Sequence, residues 1–274
     1  MTRTLIIGDV HDKWSTVTPT FNRMIQYWRP DRTIILGDLT NDWYQTAKSE
    51  YRQLRIMERW AKSIRGQGIG LTILIGNHDV YYLVSDKDHS IAANMVNMYS
   101  PGHHQRFRSQ VGLTIRSVRP EAMTTITGCG RKWLLSHAGM TGAWAARIGL
   151  DTNDVDQLAD HVNMMFHDRN WGRLYMVGPG RGGDEVPSPI WADRSELEAD
   201  PMPGVDQIVG HTPTTTVESR TTDDGHVLVF CDTMSTNPDN TPIGDSSMLV
   251  MDDDRAFRTW LEGNEVSSEP FEII

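Results

Sequence analysis

Five short segments set a side chain able to ligate a metal beside a glycine or just after an apolar run. They are Gly8-Asp9-Val10-His11, Gly37-Asp38, Gly76-Asn77-His78-Asp79, Ser136-His137-Ala138-Gly139 and Gly210-His211-Thr212. Carboxylate, imidazole and amide groups suit manganese, iron, zinc, nickel or magnesium, and no thiolate is among them. Asp9 and His11 stand two residues apart, so on an extended backbone both project to the same side and can hold one ion. Asp38 carries two carboxylate oxygens and can bridge two ions. Asn77 offers an amide oxygen, while its neighbour His78 projects elsewhere and can give a proton to a leaving group. His137 and His211 each end an apolar run. The five segments together read as a site for two metal ions, and two ions a few ångströms apart are a device for in-line displacement at phosphorus.

Taken singly, each segment has a plainer reading. Asp38 suits a helix N-cap. Asp42 is either a partner of the catalytic groups or a solvated turn residue. A polar turn closing a strand explains residues 76–79, and a histidine after an apolar strand often only marks a rim. Their ordered co-occurrence along one chain is what argues for chemistry.

The elements that must position these side chains are legible from apolar runs. Thr4-Leu5-Ile6-Ile7, Thr33-Ile34-Ile35-Leu36 and Leu71-Thr72-Ile73-Leu74-Ile75 read as buried strands, separated by helical patterns over 17–28 and 48–64. This alternation predicts an α/β fold with at least partly parallel strands, whose ligands sit beyond the carboxyl ends of the strands. A polar helical stretch follows at about 87–99, then a loop holding His103 and His104. Strands are expected at 113–118, 123–128 and 133–136, the last leading into His137. A helical pattern runs from 141 to about 167, and a Gly- and Pro-rich loop covers 178–189. Ile208-Val209 leads into His211, and 227–230, 248–251 and 256–260 read as closing strands.

Bulk properties narrow the class. The 274 residues suffice for one large domain. The formal net charge of −10 argues against a general nucleic-acid or anionic-membrane binder. Two distant cysteines, Cys129 and Cys231, suggest reduced thiols rather than disulfide staples. The first seven residues lead straight into the first ligand segment and no apolar run is long enough to span a membrane, so a cytoplasmic location is expected. Gly178-Pro179-Gly180-Arg181-Gly182-Gly183 follows no strand and lacks the Lys-Ser/Thr of a phosphate-binding loop.

The ordered motifs resemble those of the calcineurin-like metallophosphoesterases: Asp-x-His, Gly-Asp, Gly-Asn-His-Asp, a His, then Gly-His. Within that group, His137-Ala138-Gly139, Gly210-His211-Thr212, Pro189-Ile190-Trp191 and Asp232-Thr233 resemble the phosphoprotein phosphatase branch, which includes bacterial and phage protein phosphatases and symmetrical diadenosine-tetraphosphate hydrolases. Nuclease- and phosphodiesterase-like relatives usually read Gly-His-x-His, and Pro213 stands at that second His. The resemblance implies a four-layer α-β-β-α sandwich of two mixed sheets flanked by helices. It implies one domain over 1–274, with a helical and Gly/Pro-rich insertion at about 141–205. It implies two divalent ions, manganese first among the metals named above. Asp9, His11 and Asp38 would hold one ion, and Asp38, Asn77, His137 and His211 the other, with His78 as general acid.

The chain also departs from that pattern. Asp12 stands where the family usually has Gly. Where it usually has Asp-Arg-Gly, Asn41 falls at the Asp and Asp42 at the Arg. Arg194 and Arg181 are the candidates to grip phosphate instead. The expected activity is that of a metal-dependent phosphatase acting on a phosphorylated substrate: a phosphoprotein, a nucleotide or a small phosphoester. A dinucleoside-polyphosphate hydrolase or nucleotide phosphodiesterase is the alternative, and a non-catalytic metal-binding protein of the same fold is a further one.

Overall fold

The computed structural model describes residues 2–43, 45–84 and 105–273. β1 (Thr4–Ile7), α1 (Trp14–Trp28), β2 (Arg32–Ile35), α2 (Ala47–Gly66) and β3 (Gly70–Ile73) alternate, and the three strands pair in parallel. α3 (Asn77–Leu83) and α4 (Gln105–Ser117) come next. β4 (Met123–Gly128) and β5 (Arg131–Ser136) then form an antiparallel pair. Four short helices follow: α5 (Gly142–Ile148), α6 (Val155–His167), α7 (Trp171–Leu174) and α8 (Arg194–Ala199), with a 3-10 turn at Pro179–Arg181. β6 (Asp206–Val209), β7 (Glu218–Thr221), β8 (Val227–Phe230), β9 (Met248–Met251), β10 (Ala256–Glu262) and β11 (Glu265–Pro270) complete the chain.

The strands make two mixed sheets, one in the order β11-β10-β9-β1-β2-β3 and one in the order β4-β5-β6-β8-β7. Alternation along β1 shows how they stack. Leu5 and Ile7 pack with Phe21 and Met24 of α1 and with Leu54 and Met57 of α2. Ile6 turns the other way, joining Ile34, Leu36 and Leu249 against Trp133, Leu135, Ile208 and Val229 of the second sheet. The far face of the second sheet presents Val209, Leu228 and Phe230 to Leu197 of α8, while α6 packs on β4 and β5. The result is helix, sheet, sheet, helix. Both faces of each central strand are covered, which is why these strands read as continuous apolar runs. Fully burying each such side chain stabilises by about 1.5–3 kcal/mol.

Two sequence expectations are corrected. Residues 113–118 form no strand but lie largely in α4. A strand would set residues 111, 113 and 115 on one face; instead Val111 and Ile115 are buried while Leu113 between them is exposed, the spacing of a helix. The helical pattern from 141 is broken by Gly149, which caps α5 with φ 80°. Strands β7 and β11, too polar to show a run, were not anticipated. The expected helix at 87–99 and the loop with His103 and His104 fall outside the described residues.

Six strands have a parallel neighbour: β1, β2 and β3 in one sheet, β5, β6 and β8 in the other. Their carboxyl ends lead to Asp9, Asp38, Asn77, His137, His211 and Asp232 in turn. No helix among the described residues is long and apolar enough to cross a membrane.

Candidate metal centre

The glycines of the motifs explain how such distant residues meet. A Cβ on Gly76 would stand 2.1 Å from Asp38 Oδ1, and one on Gly210 would stand 2.1 Å from Asp9 Oδ1. Only glycine lets these strand ends close on the carboxylates of a neighbouring strand and of the facing sheet. His11, Asp38, Asn41 and His211 hold left-handed backbone, with φ between 44° and 66°. Such conformations cost about 1–3 kcal/mol each and collect at functional sites.

Four atoms able to ligate a metal converge at the heart of the site. His137 Nδ1 lies 2.9 Å from the Leu36 carbonyl, so in the neutral ring the proton sits there and Nε2 is a bare lone pair. That Nε2 stands 2.8 Å from Asn77 Oδ1, 3.1 Å from His211 Nδ1 and 3.4 Å from Asp38 Oδ2, and His211 Nδ1 is 2.9 Å from the same Asn77 oxygen. All four residues are buried. Lone pairs packed this closely need a proton or a cation among them, and this donor set fits a divalent ion.

A second group adjoins it. His11 Nδ1 faces the carbonyls of Thr40 and Asn41 at 3.3 and 3.1 Å, which leaves Nε2 toward Asp9 Oδ2 and Asp38 Oδ2, each 3.8 Å away. The Asp9 carboxylate accepts the His211 backbone N–H with both oxygens. Asp38 therefore lies between two ligand groups, facing His11 on one side and His137 on the other.

His78 opens α3. Its backbone N–H donates to Asp38 Oδ1 at 3.0 Å, and its ring Nε2 points back toward Asp38 Oδ2 at 3.9 Å. Its Nδ1 meets the side-chain amide of Asn41 at 3.1 Å. The structure thus brings Asn41 to His78, whereas Asp42 is drawn to the rim. There its carboxylate accepts from the Trp43 N–H and the Thr236 hydroxyl and stands 3.9 Å from Lys13 Nζ. Asp79 locks the floor: its carboxylate accepts from the N–H groups of Gly76 and Leu39 and from the Thr40 hydroxyl, tying the second and third motifs together.

The two arginine candidates part company. Arg194 is bound to Glu198 and Glu218 and lies over the Phe230 ring at 4.3 Å. Arg181 reaches Thr212 Oγ1 at 2.8 Å and Asp193 at 3.0 Å. It also lines a cavity of about 530 Å³ together with His11, Asp38, Asn77, His78 and His211, and Arg194 does not. Trp43, Trp191, Pro213, Pro238 and Ile243 give that cavity an apolar wall. Asp232, which the sequence reading left without a role, sits beside Asp9 and His11. Its signal was present: it follows the apolar run of β8, just as the other candidate ligand residues follow theirs.

Electrostatics agree with a cation site. Burial pushes Asp9 well above the ordinary carboxylate range, and the charge of Asp232 adds to this. Burial would raise Asp38 too, but His137 and His78 hold it well below. Burial acts to lower His137, yet Asp38 and Asp9 outweigh it and push the ring up to about 9. Burial and the neighbouring His137 keep His211 well below its ordinary value, and so neutral. In the metal-free protein a proton on His137 resolves the crowding of acceptors.

A pH dependence follows. His137 rises from 6.5 to about 9 and Asp79 from 3.8 to about 8 on folding, the latter chiefly through burial and the nearby Asp38 charge. The native metal-free form therefore binds more protons than the unfolded chain, so its stability falls as pH rises through this range. The opposite shift of Asp38 acts below the ordinary carboxylate range and leaves this window untouched. Tm measured in chelator is expected to drop between pH 6.5 and pH 9, and a flat or rising Tm would contradict the assignment.

A family model described as calcineurin-like phosphoesterase matches residues 2–233, most of the chain. The chain belongs to the calcineurin-like phosphoesterase family. It is a metallophosphoesterase, a hydrolase of a family that works with divalent metals. No curated protein matches it significantly. Among solved structures, a cold-active protein-tyrosine phosphatase of a psychrophilic Shewanella species aligns at 17% identity over 99% of this chain and 81% of that one, with a TM-score of 0.60. A second structure of a cold-active protein tyrosine phosphatase gives 17% identity, 98% and 78% coverage and a TM-score of 0.62. At such identity these likenesses bear on the fold alone. They agree with the two mixed sheets flanked by helices seen in this calcineurin-like phosphoesterase.

Proposed function

We propose that this chain is a phosphatase of the phosphoprotein phosphatase type, removing a phosphoryl group from a phosphorylated substrate with the help of two divalent ions, manganese first among them. The observation that carries the reading is the convergence of Asp38 Oδ2, Asn77 Oδ1, His137 Nε2 and His211 Nδ1, four atoms able to ligate a metal, beside a second group of Asp9 and His11 that shares Asp38. In this reading Asp9, His11 and Asp38 hold one ion, and Asp38, Asn77, His137 and His211 hold the other. Bound there, the pair supplies Lewis acidity toward the phosphoryl oxygens and lowers the pKa of water at the site.

The chain's own groups do the rest. His78, on the cavity wall, protonates the departing oxygen. Asn41 orients the His78 ring through Nδ1. Arg181 faces the cavity from the Gly-rich loop and meets a phosphoryl oxygen. Trp43, Pro213 and Ile243 shield one side of the cavity from water. The fold shared with a protein-tyrosine phosphatase makes a phosphotyrosyl peptide the first substrate to try, with a phosphoseryl peptide and diadenosine tetraphosphate beside it.

Hydrolysis of p-nitrophenyl phosphate with Mn²⁺, and its loss on exhaustive chelation, tests the reading directly. Activity indifferent to chelation would sink it. The two arginines give a sharper contrast. A charge-assisted contact contributes about 1.5–3 kcal/mol, or about 10–100-fold in kcat/KM. Arg181→Ala is expected to lose that much, mainly through KM. Arg194→Ala, which breaks the pairs with Glu198 and Glu218, is expected to lower Tm and leave kcat/KM within about twofold. The reverse result would move the phosphate grip to Arg194.

A further inference from the structure

We infer that Asp232 is a direct ligand of the first ion, which makes that position a site of Asp9, His11, Asp38 and Asp232. The inference rests on the two-ion reading above and adds a residue to it.

Three observations carry it. First, β8 is the sixth strand with a parallel neighbour, and Asp232 stands just past its carboxyl end, where the other five deliver Asp9, Asp38, Asn77, His137 and His211. Second, ligand atoms of Asp9, His11 and Asp232 all lie within 4.8 Å of one another. The backbone enforces this meeting: a Cβ on Gly8 would stand 2.0 Å from the Cys231 carbonyl oxygen and 3.1 Å from Asp232 Cα, so the ends of β1 and β8 are pressed together at the point where both carboxylates emerge. Third, Asp232 is 1% exposed, and the donor on its oxygens is one hydroxyl, Ser235 Oγ, at 2.8 and 2.9 Å. Among the described residues no lysine or arginine nitrogen comes within 4.0 Å of it. Asp9 and Asp38 are equally buried alongside. Three buried carboxylates served mainly by hydroxyl and backbone donors call for a positive partner, since buried charges are paired or coordinate metals.

The chemical consequence is an asymmetric pair of positions. The first offers three carboxylates and one imidazole. The second offers one carboxylate, one amide oxygen and two imidazoles. Oxygen-rich donor sets favour hard cations and imidazole suits borderline ones. The first position therefore has the higher relative preference for Mn²⁺ or Mg²⁺ over Zn²⁺, and Asp232 is the residue that sets it.

The test is Mn²⁺ binding to chelator-stripped protein, followed by calorimetry and by electron paramagnetic resonance, on the wild type, Asp232→Asn and Asp232→Glu. The wild type is expected to take up two ions. Asp232→Asn is expected to keep one at wild-type affinity and bind the other more than ~10²-fold more weakly, with Asp232→Glu in between. A smaller loss is what an outer hydrogen-bonding partner would give, and would overturn direct ligation. A wild type that binds no ion would instead remove the two-ion reading, so the two failures are distinguishable. Should Asp232→Asn fail to fold, a Mn²⁺-loaded crystal structure of the wild type decides. An Asp232 oxygen at ~2.0–2.4 Å from the ion supports ligation, and one beyond ~3 Å overturns it.

Discussion

Asp38→Asn is expected to lower turnover at least ~10³-fold while leaving the fold intact. The substitution keeps the shape of the side chain and removes its charge. Asp38 lies 3.8 Å from His11 Nε2, 3.4 Å from His137 Nε2 and 3.9 Å from His78 Nε2, so a single carboxylate faces every imidazole of the centre except His211. An amide offers one oxygen where the carboxylate offers two, and it cannot serve two ions at once. Losing a single preorganised electrostatic contact in an active site costs about 10²–10³-fold, and in the proposed two-ion reading Asp38 serves both ions. The loss should appear with every substrate and persist at saturating Mn²⁺. A variant that recovered wild-type kcat at high Mn²⁺ would show that Asp38 only tunes affinity. Circular dichroism separates this from unfolding: Asp38 takes no part in the inter-sheet core of Ile6, Ile34, Leu135 and Val229.

Most of the scaffold that holds Asp38 was legible in the sequence, because parallel strands buried on both faces leave a signal that needs no partner information. Thr4-Leu5-Ile6-Ile7 and Val227–Phe230 are such runs. Each leads within two residues to a buried carboxylate, Asp9 and Asp232, that breaks the apolar pattern. The elements that were not legible are those whose character comes from tertiary context. The 113–118 stretch holds three β-branched residues, Thr114, Ile115 and Val118, and reads locally as a strand; packing of Val111 and Ile115 one turn apart decides for a helix. β11 is exposed along much of its length and is a strand only because β10 supplies a template.

The same division runs through the centre. Ligand types and order are sequence properties, so the groups of Asp9, His11, Asp38, Asn77, His137 and His211 could be named in advance. Which arginine faces the cavity is a property of loop conformation, and the sequence left Arg181 and Arg194 side by side as candidates. The structure separates them through Glu198 and Glu218, acidic partners whose proximity to Arg194 no spacing rule gives. Asp232 was visible by the same strand-end position as the other candidate ligands, but in the sequence it carried only the Asp-Thr resemblance. The Gly-Asp, Gly-Asn and Gly-His pairings also gain a cause. At Gly76 any side chain would occupy the place of an Asp38 oxygen from the neighbouring strand, and at Gly210 that of an Asp9 oxygen from the other sheet.

Replacing His78 separates proton donation from metal binding, because the size of the effect depends on the leaving group. General acid catalysis contributes about 10²–10⁴-fold, and it matters in proportion to how badly the departing oxygen needs a proton. His78→Ala is therefore expected to lower kcat by that amount on an alkyl phosphate such as a phosphoseryl peptide, and far less on p-nitrophenyl phosphate, whose phenolate leaves unaided. Geometry puts His78 in position for this. Its ring is partly open to solvent on the cavity wall, and it points its Nε2 at the same Asp38 oxygen that faces His11 and His137. Its partner at Nδ1 is the neutral amide of Asn41, which can hold the ring in place but adds no charge to favour the imidazolium. Asn41→Asp supplies that charge and is expected to carry activity on the alkyl phosphate to higher pH, with little change on p-nitrophenyl phosphate. If His78→Ala costs both substrates equally, the ring positions Asp38 through the His78 N–H segment and the proton for the leaving group comes from elsewhere.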